Sequence, residues 1–186
     1  MKSLRVKLAL GVAVLGIAGV STAAIAHDRS RFNASLTGYE EVPTLSTQGN
    51  GTFAAVINRG KDEIRYRLEY HGPFDAGANG TVLQAHIHLG RPAVNGGVIA
   101  FLCTNLGNGP AGTPACPPEG TVTGTITPAQ VVGGAVDQGI APAEFAELTR
   151  ALRAGAAYAN IHTMAKPAGE IRGQISSDDD DRHGDD

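Results

Sequence analysis

Two histidines separated by a single residue, His86 and His88, stand in the run Val-Leu-Gln-Ala-His-Ile-His-Leu over residues 82–89. Leu83, Ala85, Ile87 and Leu89 share one parity; Val82, Gln84, His86 and His88 share the other. In a β-strand, side chains of equal parity lie on one face, about 6–7 Å apart along the chain. Both imidazoles can then reach one metal ion at about 2.0–2.1 Å. A His-x-His pair also arises by chance as two exposed rings bonding locally, so a third ligand matters. His162 offers one, in Tyr158-Ala-Asn160-Ile-His162, followed by Glu170-Ile-Arg172 on a further alternating segment. Three imidazoles with an open position suit copper, iron or zinc. Because imidazole is neutral at pH 7, such a site can sit at a surface.

The expected site is thus mononuclear: His86, His88 and His162, with copper or iron as the metal and zinc also possible. Glu170 can orient an imidazole or be a ligand itself; two histidines and one glutamate would make a facial-type iron site. His71 is a further candidate ligand, but it abuts Gly72-Pro73 and can simply end a strand. If the chain is cut after Ala26, the amine and ring of His27 can chelate copper together. His183 lies in an acidic run and is read as inert.

Other chemistries lack their motifs. No Gly-x-Ser-x-Gly is present, and no Gly-rich phosphate loop precedes a helix. Glu40 and Glu41 are adjacent; on a strand they point to opposite faces and are no acid/base pair. Cys103 and Cys116 flank a loop-forming stretch and read as a disulfide. A two-cysteine zinc site is the rival, but structural zinc wants four ligands.

The elements that must position these residues are mostly strands. Phe32, Ala34 and Leu36 alternate with polar neighbours, as do Ile64, Tyr66, Leu68 and Tyr70. Strands are expected near 32–37, 52–58, 63–71, 81–89, 96–103, 120–126, 157–163 and 170–175. Asn58-Arg-Gly-Lys61 reads as a hairpin turn. One helix is signalled from Pro142 to Gly155, with Phe145, Leu148 and Leu152 on one stripe and Arg150 and Arg153 late. A shorter helical turn begins at Pro128. The fold class is all-β: an antiparallel sandwich or flattened Greek-key-like barrel of about 7–9 strands with one short helix.

The chain has 186 residues, 42% of them apolar, with 25 glycines and no tryptophan, which suits one turn-rich domain. Lys2, Arg5 and Lys7 precede an uncharged stretch to Val20 and an Ala-x-Ala ending at Ala26, the pattern of a secretory signal peptide. Export follows, to a periplasm or the outside, with no membrane attachment after cleavage. Residues 27–31 form a short lead, 32–176 the β domain, and 177–186 an acidic tail expected to be disordered. Past residue 26 the chain has 12 basic and 18 acidic residues, six of the acids between Asp178 and Asp186. A nearly neutral body gives no electrostatic reason for nucleic-acid binding. The sequence does not specify an oligomeric state.

Three stretches together resemble the chordin-type (CHRD) domain family: Leu36-Thr-Gly-Tyr-Glu-Glu-Val-Pro43, Ala85-His-Ile-His-Leu-Gly90, and Tyr158-Ala-Asn-Ile-His-Thr163 with Gly169-Glu-Ile-Arg-Gly-Gln-Ile175. The resemblance spans about residues 32–175. It implies an extracellular or periplasmic all-β domain and places His86, His88, His162, Glu170 and Arg172 in the family motif, but not His71. A second resemblance is one of design: copper–zinc superoxide dismutases also put His-x-His on the outside of a barrel strand, with an arginine that attracts the anion. Here Arg172 would be that guide, and Arg172 with Glu170 would serve catalysis. The leading expectation is a secreted redox metalloprotein acting on a small anion such as superoxide. A non-catalytic module binding protein or glycan, and a periplasmic metal carrier, are the alternatives.

Overall fold

The structure, a computed structural model, describes residues 30–74 and 81–178. The signal-like stretch 1–26, His27, His183 and the rest of residues 179–186 lie outside the described residues. Among the described residues there are nine strands: β1 (Arg31–Thr37), β2 (Asn50–Ile57), β3 (Ile64–His71), β4 (Val82–Leu89), β5 (Val98–Thr104), β6 (Gly120–Ile126), β7 (Ala157–Thr163), β8 (Ile171–Gln174) and β9 (Ser176–Ser177). The one α-helix among the described residues, α1 (Phe145–Arg153), precedes β7, and the short turn expected at Pro128 is a 3-10 helix over Pro128–Gln130.

All strands pair antiparallel in one sheet, in the order β5-β4-β7-β8-β1-β2-β3-β6, with β9 beside β1. The end strands β5 and β6 approach each other and nearly close the sheet into a barrel. Three links cross this seam region. Cys103 on β5 is disulfide-bonded to Cys116, ahead of β6. The Tyr66 hydroxyl on β3 donates to the Leu102 carbonyl at 2.6 Å. Tyr70 donates to the Pro117 carbonyl at 2.6 Å. Gly124 makes room for Tyr66, since a Cβ there would lie 2.3 Å from its hydroxyl. Burial pushes the Tyr66 phenol up to about 12, so it remains a donor.

The clean period-two strands behave as their pattern requires. β1 buries Phe32, Ala34 and Leu36; β3 buries Ile64, Tyr66, Leu68 and Tyr70. Two strands depart from simple alternation. On β4, Leu83 is an extra residue against β7, because Val82 faces Thr163 while Gln84 faces His162. This bulge returns Val82 to the core beside Ala85 and Ile87 and leaves Leu83 half-buried. The sequence pattern puts Val82 on the polar parity; the bulge reverses that. On β5, register shifts against β4 insert Leu102 and Ile99. Its continuous apolar run is therefore a twice-bulged strand, burying Ile99, Ala100, Leu102 and Cys103.

Three further differences from the sequence reading are local. The helix begins at Phe145 rather than Pro142, because Ala143 has a φ of 68°, outside the helical region. The Glu144 carboxylate instead accepts from the Ala141 amide at 2.7 Å. The stretch Gly38–Glu40 is a single 3-10 turn, not strand, so Glu40 is exposed while Glu41 is buried. Order also continues past residue 176: Ser177 is buried and pairs with Phe32, and the Asp178 amide donates to the Arg31 carbonyl.

Candidate metal centre

β4 lies beside the consecutive strands β7 and β8 although far from them in sequence, and their register builds the site. His88 faces Tyr158, His86 faces Asn160, and Gln84 faces His162. Across the next pairing, Asn160 faces Arg172 and Tyr158 faces Gln174. Residues directly opposite on antiparallel strands share a face. The alternate residues Ala85, Ile87, Ala159, Ile161 and Ile171 belong to the barrel core. The polar row is therefore on the outer face of the sheet.

That outer face is not open to solvent. His86, His88, His162, Asn160, Glu170 and Arg172 are all buried, the three histidines at 2%, 7% and 6% exposure. Two loops cover them. Residues 90–97 fold back from the end of β4, and the Gly96 carbonyl accepts from His88 Nδ1 at 2.9 Å. Residues 164–169 turn after β7, and the Pro167 carbonyl accepts from His162 Nδ1 at 3.0 Å. The surface site expected from sequence is thus a roofed one. The reason is tertiary: loop carbonyls supply the acceptors that buried imidazoles need.

The protonation pattern follows from those partners. Each carbonyl fixes the proton of His88 and His162 on Nδ1, leaving both Nε2 atoms as lone pairs. His86 Nδ1 lies 3.1 Å from His162 Nε2 and must then be the donor. His86 Nε2 is also left as a lone pair. Both His86 Nε2 and His88 Nε2 are buried without a hydrogen-bond partner. One ligand nitrogen from each of the three rings falls within 4.8 Å of the others. Four donors placed tetrahedrally at 2.0–2.1 Å from a metal stand about 3.3 Å apart, so the rings must draw together, and His162 Nε2 must exchange its bond to His86 for the metal, to seat one. Phe101 packs edge-on against His86 at 4.5 Å, and Tyr158 stacks on His88 at 4.9 Å and 7°.

Burial keeps the cluster neutral. It holds His86 down to about 2, with His162 and His88 adding to the effect. It holds His88 down to about 4 despite the Gly96 carbonyl, and lowers His162 against the Pro167 carbonyl. A folded-state value below the unfolded one, about 6.5, means the unfolded chain binds more protons between the two. Stability is then fully present above pH 6.5 and lost as pH falls toward the folded values. For the metal-free protein we expect denaturant unfolding to weaken below pH 6.5, by roughly 1.4 kcal/mol per pH unit from His86 alone. The His86→Ala/His88→Ala double variant should flatten this slope; an unchanged slope would place the sensitivity elsewhere.

The remaining sequence candidates stand apart from the trio. His71 is exposed on β3 and lies 3.4 Å from Glu69, itself held by Arg67; it does not join the cluster. The Glu170 carboxylate accepts from Thr47 at 2.8 Å and Thr163 at 2.5 Å, and it too lies outside the cluster of possible ligands. Arg172 is 2% exposed. Its guanidinium donates to the Arg91 and Val94 carbonyls at 3.0 and 2.9 Å and to Asn95 Oδ1 at 3.2 Å. It also lies 3.4 Å over the Tyr158 ring. An arginine so engaged does not face solvent as the anion guide the sequence suggested. The disulfide between Cys103 and Cys116 is formed as expected.

Sequence reasoning passed over Glu41, which accepts from Asn160 Nδ2 at 2.6 Å, and whose carboxyl burial pushes up. It also passed over Gly96 and Pro167, which act through backbone carbonyls that carry no side-chain signal. Asn95 was equally silent.

The fold and site define a nearly closed antiparallel β-barrel domain carrying a roofed tri-histidine cluster on its outer wall. The chain belongs to the CHRD-domain family, whose model matches residues 32–175. Neither the curated proteins nor the solved structures contain a match to it.

Proposed function

We propose that this CHRD domain is an exported module that holds one transition-metal ion on His86, His88 and His162. The observation that carries this reading is the pair of buried, unpartnered Nε2 lone pairs on His86 and His88 beside His162. A cation relieves that cost, and hydrogen bonds from the opposite ring nitrogen of His88 and His162 to backbone carbonyls are the usual support of metal-ligating imidazoles. All-imidazole donors suit copper and zinc. They come ahead of iron here because Glu170, the carboxylate of a facial iron site, is engaged by two threonines.

The burial of the cluster favours holding the metal, as a stabilising centre or a carried ion, over rapid turnover of an anion. Superoxide dismutation is the second reading; the outer-face His-x-His speaks for it, and it requires an anion to reach the metal. Family membership and the signal-like segment support an extracytoplasmic setting. Among the described residues no helix is long and apolar enough to cross a membrane.

Elemental analysis of untagged, exported protein tests the reading. We expect about one copper or zinc per chain, lost in the His86→Ala/His88→Ala variant. No bound metal after incubation with copper, zinc and iron would overturn it. A superoxide assay on the loaded protein separates the two readings: activity lost in the double variant would favour dismutation, and its absence would favour holding.

A further inference from the structure

The guanidinium of Arg172 is bonded to the 90–97 loop that covers His88, where that loop meets the 38–49 segment. Residues 90–97 arrive from the β4 end of the sheet and residues 38–49 from the β1 end. Arg172 is bonded to three groups of the first loop, the Arg91 and Val94 carbonyls and Asn95 Oδ1. Asn95 in turn donates to the Val42 carbonyl of the second loop at 3.2 Å. The next residue, Gly96, offers its carbonyl to His88 and its amide to the Tyr158 hydroxyl. Tyr158 lies on the strand between those of His88 and Arg172, stacked on the first and capped by the second. Arg172 therefore supports both surfaces that fix the His88 ring: the carbonyl that sets its proton and the aromatic face that sets its plane.

We propose that Arg172 is a positioning residue for the metal centre, acting through the 90–97 loop and Tyr158, and not a receptor for an anion. This rests on the metal-holding reading above. The guanidinium is suited to the task because its planar, forked donors reach three acceptors while its flat face lies on an aromatic ring. An ammonium on a lysine stem keeps the charge but cannot make that set of contacts. Groups that orient metal-ligating histidines commonly affect metal affinity by about 10–100-fold.

The test loads wild-type protein, Arg172→Lys and Asn95→Ala with copper(II). It measures affinity by chelator competition and coordination by electron paramagnetic resonance. Asn95→Ala removes the clasp between the loops without touching the charge, and serves if Arg172→Lys does not fold. We expect Arg172→Lys to weaken copper binding about 10–100-fold and to shift the copper spectrum, with Asn95→Ala moving both in the same direction by less. A role in stability alone would lower the melting temperature and leave the spectrum of the folded protein unchanged, and that result overturns the proposal. So does an Arg172→Lys protein with wild-type affinity and spectrum, or, if that variant is unfolded, a wild-type spectrum in Asn95→Ala. In each of these cases wild-type copper binding keeps the metal reading intact. Absence of copper binding by the wild-type protein overturns both.

Discussion

Adding zinc to the metal-free protein is expected to raise its thermal unfolding midpoint by roughly 8–16 °C. A ligand that binds only the folded state stabilises it by about 4 kcal/mol at a free concentration a thousand times its dissociation constant. In a domain of this size each kcal/mol moves the midpoint by about 2–4 °C. The unfolded chain has no preformed site, since His86 and His162 meet only when β4 and β7 pair. Zinc is the informative ion because it does not cycle between oxidation states. The His162→Ala variant should lose most of the shift, and the His86→Ala/His88→Ala variant all of it. A shift of equal size in these variants would mean that zinc binds elsewhere, with exposed His71 and Glu69 an obvious place to look.

The second large effect is expected at a residue with no side chain. A Cβ at position 96 would lie 1.5 Å from the Leu89 carbonyl oxygen, a distance no relaxation of a side chain can relieve. Gly96 runs this close because the loop folds back along β4: Leu89 donates to the Gly97 carbonyl, and Gln138 bridges the Leu89 carbonyl and the Gly97 amide. Gly96→Ala must push the loop outward. It then breaks the bonds of Gly96 to His88 and to Tyr158 together. A loss of about 3 kcal/mol or more of unfolding free energy follows from backbone displacement plus stranded buried polar groups. Denaturant titration of Gly96→Ala beside wild type measures it. Chelator competition should show zinc affinity falling with it. A variant of wild-type stability would mean that the loop has another path over the sheet.

These two expectations differ in how far the sequence could have reached them. The His86/His88 pair was legible because parity along a strand is a local property: side chains two residues apart must share a face, whatever the strand packs against. The same reasoning puts Asn160 and His162 on one face of their own strand; that Arg172 shares the row is a matter of strand pairing. It fails at Val82, where a bulge at Leu83 changes the parity, because a bulge is set by the partner strand and leaves no mark in the chain's own alternation. It fails again at Glu41, which was set aside as half of an adjacent pair on a strand, when a turn at Gly38–Glu40 had already ended that strand.

By itself, then, the sequence determined the all-β class, most strands, the disulfide partners and the identities of the three imidazoles, all of which follow from short-range periodicity or from residue chemistry. The tertiary structure alone decided that β4, β7 and β8 are neighbours, that the outer face carrying the histidines is roofed, and that Arg172 is spent on loop carbonyls. The physical reason is that strand order and loop packing are fixed by long-range pairing. The acceptors that bury a polar row are backbone carbonyls, which every residue carries and no sequence pattern distinguishes.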